Sequence, residues 1–320
     1  MKMSSVNIKR RMRPGARFVI GVPFTWLFIL VLLTFAIVFK ISFADQTYTI
    51  PPFTPLFDEK GALQIFTKNY QEIFVDFWPS LLDIINPLSG DSGGNIYVLT
   101  YWLSIKTALL TTLICLLIGY PMAYAISRAN PSIRNTLLLL IMLPFWTSFL
   151  LRVYAWMGLL STNGIINTYL LKWGIISEPL ELFYNSFSLI LVMVYAYLPF
   201  MILPLYTQLV KLDNRLLEAA ADLGAHPVKA FFTVTLPLSK SGIIAGSMLV
   251  FIPSMGEYVI PELVGGPDNL MIGKVLWQAF SDQANWPLAA AIAVVMVLVL
   301  VVPIALEQYF TNRENAKGSK

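Results

Sequence analysis

Six apolar stretches of about twenty residues dominate this 320-residue sequence and leave few folds open to it. They run approximately over residues 18–39, 103–126, 136–157, 188–207, 242–264 and 288–310. At 1.5 Å per residue, a helix of that length crosses a hydrocarbon core about 30 Å thick. Lipid offers no hydrogen bonds, so each backbone N–H and C=O must be satisfied within the segment, as a helix does. The third and fourth stretches carry Pro144, Pro199 and Pro204, which a helix in a bundle tolerates because neighbours satisfy the freed carbonyls. Charged residues make up 12% of the chain, against roughly 25% in soluble domains. The expectation is an all-α integral membrane protein with six transmembrane helices, which places both termini on one side.

Basic residues decide which side. Lys2, Lys9, Arg10, Arg11, Arg13 and Arg17 precede the first stretch, and Arg128 and Arg134 fall between the second and third. Lys211, Arg215, Lys229 and Lys240 lie between the fourth and fifth, and Arg313, Lys317 and Lys320 in the tail. Lys and Arg accumulate on the cytoplasmic side of membrane proteins, so both termini are expected there. Asp45, Asp58, Glu59, Glu72, Asp76, Asp83 and Asp91 crowd into the opposite, outer segment. The pI near 9.0 is thus an orientation signal and implies no nucleic-acid partner. The first stretch is too long for the 7–15-residue apolar region of a signal peptide and reads as an uncleaved anchor.

The organisation follows: a basic tail (1–17), a first transmembrane helix (18–39), an outer segment rich in Pro, Asp and Gly (40–102), a five-helix unit (103–310) and a cytoplasmic tail (311–320). The polar loop 208–240 has its own internal logic. Leu216, Leu217, Ala220 and Leu223 recur at helical spacing after Asp213. Gly224 suits a left-handed helix end, and Pro227 suits the first turn of a new helix. Val228, Phe231, Phe232 and Leu236 give that second helix an apolar face, and Pro237 ends it. Two short helices joined at an angle make a wedge that a groove on another protein can grip.

Catalytic chemistry finds no footing. Gly273-Lys274 lacks the Ser/Thr and the earlier glycine of a phosphate-binding loop, since Val275 and Asp268 stand there. One histidine (His226) and one cysteine (Cys115) make neither a metal cluster nor a Cys/His pair. His226 reads as a loop or interface residue and Cys115 as a buried inert thiol. No metal or cofactor is expected in the chain, and energy must come from outside it.

Within the apolar stretches, Gly242 and Gly246 form a small-xxx-small pair that lets helix backbones approach, inside the bundle or against a second subunit. Glu257 is the costliest residue, because a carboxylate inside a span marks a functional site by default. Counting from the cytoplasmic ends places Glu257 and Arg152 at similar depths, roughly 22 and 24 Å in. Three readings stay open: an intramembrane Arg152–Glu257 pair, a Glu257 free for a cationic substrate, or an interfacial residue with no role. Tyr258, Trp156 and Tyr195 are candidate pathway residues, because aromatic faces attract ammonium groups; a simple interfacial belt of Tyr and Trp is the plainer reading.

The segment EAAADLGAHPVKAFFTVTLP (218–237) resembles the EAA loop of ABC-importer permeases, with Glu218, Ala219, Ala220, Gly224, Leu236 and Pro237 at the pattern's spacing. From residue 101 to about 310 the chain looks like a type I ABC importer permease (MetI-like) fold. LLLLIMLPFWTSFLLRVYAWMGLL, VYAYLPFMILPLY and the segment around GEYVIPEL resemble polyamine permeases, most of all the putrescine subgroup. The resemblance implies a non-enzymatic permease subunit in a bacterial inner membrane. Its partners would be a second permease, two copies of an ABC ATPase that uses the ATP, and a periplasmic polyamine-binding protein. A permease for another small solute, such as an amino acid or opine, is the alternative. A membrane-embedded enzyme or assembly factor would need a catalytic cluster that the sequence does not supply.

Overall fold

A computed structural model describes residues 14–55, 64–85 and 94–318. Lys2, Lys9, Arg10, Arg11, Arg13, Asp58, Glu59, Asp91 and Lys320, used above to orient the chain, lie outside these residues. The described residues form helices and connecting turns with no strand, only an isolated antiparallel bridge between Gln46 and Phe53.

The first helix, α1 (Pro14–Ser42), opens on a proline, whose missing N–H costs nothing at a first helical position. Two short outer helices follow, α2 (Lys68–Phe74) and α3 (Phe77–Ile85). Asn95 then caps α4 (Ile96–Arg128) by accepting the Tyr97 N–H at 2.8 Å. After a tight turn come α5 (Pro131–Met142), α6 (Phe149–Leu160) and α7 (Ile165–Lys172). Asn185 and Ser188 form a reciprocal capping box at the start of α8 (Ser186–Leu209). The polar loop supplies α9 (Asn214–Asp222) and α10 (Pro227–Ala230), which passes through a π-helical turn into α11 (Leu236–Leu238). The chain closes with α12 (Lys240–Met255), α13 (Val259–Val264), α14 (Ile272–Trp277) and α15 (Trp286–Gly318).

All six apolar stretches fall on helices, but two are broken where sequence counting made them continuous. Among the described residues, four helical stretches are long and apolar enough to cross a membrane: Gly21–Ser42, Ile96–Arg128, Phe149–Lys172 and Ser186–Leu209. The third stretch, expected over 136–157, splits into α5 and α6 around a 3-10 turn at Leu143–Trp146 and extended backbone at Thr147 and Ser148. Pro144, which lacks an N–H and whose ring clashes with the carbonyl four residues back, lies in this turn. The fifth, expected over 242–264, stops at Met255, leaves helical geometry at Gly256–Tyr258 and resumes as α13. The last stretch, expected over 288–310, lies within the single helix α15.

Helices α4, α8 and α12 pack into a central trio, with α1 lying against α15 at the periphery. Small residues let the trio close. A Cβ on Gly242 would meet the Pro204 carbonyl at 3.1 Å, and one on Gly246 would meet Met201 Sδ at 2.9 Å. The glycine pair thus serves packing of α12 on α8 inside the bundle. Cys115, Met193, Met201, Ile202 and Leu205 are fully buried between these helices. Hydroxyls tie the outer layer on: Tyr101 donates to the Ile292 carbonyl at 2.6 Å, and Ser188 to that of Val264 at 2.7 Å. The apolar flank of α1 stays exposed along most of its length, as a lipid-facing helix requires.

Candidate functional site

Two places in this fold carry groups that packing alone does not explain: the loop built from α9 to α11, and the break between α12 and α13.

In the loop, Asp213 accepts the Arg215 N–H at 3.0 Å and starts α9. The helix ends in a Schellman arrangement. The Gly224 N–H donates to the Ala221 carbonyl at 2.8 Å, and the Ala225 N–H to that of Ala220 at 2.9 Å. Gly224 has φ +80°, the left-handed conformation its type was expected to supply. The second helix departs from the expected single apolar face. Phe231 turns inward, with its ring 5.6 Å from that of Tyr120 and edge-on to it. Leu236 packs on the core, while Val228 and Phe232 stay exposed. Tyr120 and Ser239 share a 2.8 Å hydrogen bond that anchors the end of the loop to α4. Glu218, Ala219, Gly224 and Pro237 are exposed and Ala220 half-buried, with Leu223 88% exposed at the tip. The loop is therefore held to the bundle on one side and presents Leu216, Leu223, Val228 and Phe232 on the other. Apolar periodicity could not separate these faces, because both are apolar.

At the break, Glu257 Oε1 accepts three backbone N–H groups, from Tyr258 (3.2 Å), Val259 (3.0 Å) and Ile260 (3.4 Å). Its Oε2 accepts the hydroxyl of Tyr197, a buried residue of α8. Backbone donors freed by the helix break thus satisfy this carboxylate oxygen. Tyr258 stacks flat on Trp277, with ring centroids 4.9 Å apart. Trp277 is the partner that sequence reasoning missed, and Tyr197, at a similar depth by sequence, was not singled out beside Tyr195. The signal was a tertiary pairing between residues far apart in the chain.

The Arg152–Glu257 pair does not form. The one ion pair among the described residues joins Lys274 to Glu262 at 2.9 Å. Arg152 lies over the rings of Phe145 (5.1 Å) and Phe149 (5.6 Å) instead. The turn at Leu143–Trp146 interrupts the helix along which Arg152 was counted. Aromatic rings bridge the space between the two charges: Phe145 packs on Phe200 (5.2 Å), and Phe200 on Tyr197 (6.3 Å). The remaining candidates divide. Trp156 and Tyr195 pack edge-on at 5.4 Å beside Arg152. Tyr195 and Tyr197 are two positions apart on α8, hence on opposite faces, so Trp156 and Tyr195 do not join Glu257 and Tyr258 in one cluster.

Comparison with known proteins agrees with this architecture. The family described as "Binding-protein-dependent transport system inner membrane component" matches residues 115–311. The spermidine/putrescine transport system permease protein PotB of Haemophilus influenzae is 37% identical over 288 residues, 90% of this chain and 91% of its own. Its Escherichia coli namesake is 41% identical over 197 residues, 62% of this chain and 72% of that one. The inner membrane ABC transporter permease protein YdcU of Escherichia coli is 32% identical over 63% of this chain and 68% of its own. A chain from a bacterial ABC transporter that imports the acidic polysaccharide alginate has the same fold, with TM-score 0.57 at 17% identity, over 97% of this chain and 100% of that one. With more than half of its length matched by the family, this chain belongs to the inner-membrane components of binding-protein-dependent transport systems.

Proposed function

We propose that this chain is a permease subunit of an ATP-driven importer whose cargo is a polyamine, putrescine in the first instance. The observation that carries the cargo is Glu257. Its carboxylate is fixed on one oxygen by three backbone donors, while the other oxygen receives only Tyr197. A carboxylate has about four acceptor positions, so Oε2 retains capacity for an ammonium group. Tyr258 and Trp277 beside it offer aromatic faces of the kind that attract cations. Putrescine carries two ammonium groups on an apolar stem, and the Phe200–Phe145 wall suits that stem. The printed names of the relatives above, spermidine/putrescine permeases, support the same class.

The loop α9–α11 is the proposed coupling element, with Glu218 to Pro237 docking on an ATPase subunit. Its exposed Leu223, Val228 and Phe232 support that reading. The proposed assembly pairs this chain with a second permease, two ATPase copies and a periplasmic polyamine-binding protein. Both termini and the loop face the cytoplasm in this reading, on the strength of the basic residues around them.

Two experiments test the proposal. Complex reconstituted in liposomes with its binding protein is expected to take up putrescine faster than spermidine, and only with ATP. Equal uptake without ATP removes the ATP-driven reading, and uptake of spermidine alone reassigns the cargo. For orientation, single cysteines on a Cys115→Ala background meet an impermeant reagent from outside intact cells. Ser239 is buried and unsuitable, so the exposed Lys211 and Tyr48 serve as probes. Outside labelling at Lys211→Cys but not at Tyr48→Cys reverses the orientation.

A further inference from the structure

The junction between α4 and α5 holds two arginines whose charge the described residues leave largely unanswered. Arg134 sends one guanidinium nitrogen, Nη2, to the carbonyls of Ser127 (2.9 Å) and Ala129 (3.0 Å), the residues that flank Arg128. Its Nε is buried with no hydrogen-bond partner among the described residues. Arg128 lies over the Tyr124 ring at 5.4 Å, and both its Nε and Nη2 are buried and unpartnered. Buried polar groups are almost always hydrogen-bonded, and an unanswered guanidinium is among the costliest exceptions. Neither arginine has a carboxylate partner, since the single ion pair of the described residues lies elsewhere.

An apolar groove leads away from these arginines. It has a volume of about 470 Å³ and is lined by the last turns of α4 (Met122, Ala125), by α5 (Leu137, Leu140) and by α8 (Leu198, Ile202). Arg134 precedes Leu137 by one helical turn, and Arg128 follows Ala125 by the same interval, so both helices run from the guanidinium groups down the groove. Met122 and Leu140 are exposed along it. This end of α4 is also the end that holds the coupling loop, because Tyr120 and Tyr124 both pack on Phe231.

We propose that this is a binding site for an anionic phospholipid of the cytoplasmic leaflet, with the headgroup phosphate on Arg128 and Arg134 and an acyl chain in the groove. Charge and shape choose the occupant. Two guanidinium charges with no carboxylate partner among the described residues call for an anion, their geometry matches phosphate oxygens, and the groove calls for a hydrocarbon. Basic pockets between transmembrane helices on the cytoplasmic side are a known setting for such lipids. A phosphate on Arg128 would act on the guanidinium that lies over Tyr124, whose ring packs on Phe231 of the coupling loop. The depth of the site rests on the cytoplasmic orientation proposed above; the site itself does not depend on the cargo or on ATP.

The test uses the delipidated full chain in detergent, titrated with phosphatidylglycerol or phosphatidylcholine of identical chains and read by native mass spectrometry. Phosphatidylglycerol is expected to be retained preferentially. Arg128→Gln is expected to reduce that preference about fivefold, the effect of one arginine near an anionic surface. Ala125→Phe fills the groove, leaves both arginines in place and is expected to weaken binding of phosphatidylglycerol as well. Monodisperse elution shows that each variant is folded. Equal retention of the two lipids, or a preference unchanged in Arg128→Gln, overturns the proposal. Displacement of the lipid by equimolar inorganic phosphate overturns it too, because the site would then bind a free anion. Cross-linking of Leu140→Cys to another subunit in the assembled complex would show that protein covers the groove, and would also overturn it.

Discussion

Substitution of Gly224 separates backbone conformation from contact. The residue has φ +80°, and a Cβ built there meets nothing within 4 Å, so any penalty comes from the backbone alone. An L-residue in the left-handed region costs roughly 1–2 kcal/mol, and a β-branched one more. If the turn relaxes to escape that strain, it forfeits the Gly224–Ala221 and Ala225–Ala220 hydrogen bonds, each contributing about 1 kcal/mol net. Either way Gly224→Val disfavours the bent α9–α10 arrangement by about 2–3 kcal/mol, or a population loss of roughly 30- to 150-fold at about 1.4 kcal/mol per tenfold. Gly224→Asn tolerates the same φ and should preserve the bend. The assay is putrescine uptake by reconstituted complex, with subunit stoichiometry and ATP hydrolysis measured on the same preparations. The valine variant should insert and assemble but transport poorly, and the asparagine variant should stay near wild type. Wild-type transport by Gly224→Val, or equal failure of both, would refute the backbone argument.

Glu257→Gln should lower putrescine uptake while the complex assembles, because it removes an attraction of up to about 4 kcal/mol at 4 Å, before desolvation, for a passing cation. Tyr197→Phe removes one hydrogen bond, leaves the three backbone donors in place and should cost less; wild-type ATPase stimulation by putrescine in Glu257→Gln would remove this carboxylate from the pathway. Because Arg152 and Glu257 do not meet, the free-energy effects of Arg152→Gln and Glu257→Gln on thermal stability should add, and rescue in the double variant would show a pair that the structure lacks. Gly246→Val should destabilise the chain by about 1–3 kcal/mol through collision with Met201, whereas Gly158→Ala, with open space at its Cβ, should be neutral or stabilising. Equal melting temperatures for Gly246→Val and wild type would refute close packing of α12 on α8.

Much of this protein is written locally in its sequence. Apolar runs specify helices because lipid penalises every unpaired backbone group, and that penalty needs no knowledge of neighbours. The turn at Gly224, the start of α9 at Asp213 and the start of α10 after His226 were legible for the same reason: each depends on the φ preference or side-chain reach of a few adjacent residues. That α12 closely approaches a neighbour was also readable, since Gly242 and Gly246 repeat at one helical turn; that the neighbour is α8 was not. What sequence could not decide was which charges and rings meet. Pro144 and Gly256 were visible, but whether a break is healed or opened depends on neighbouring helices. The breaks redirected Arg152 toward Phe145 and gave Glu257 its three backbone donors. Tyr197 reaches Glu257 only because α8 presents one particular face to the α12–α13 break. Phe231 and Phe232, adjacent and equally apolar, point to the core and to the surface for that same reason. A helix face acquires its direction from what packs against it, and in a chain this apolar only the tertiary structure supplies that direction.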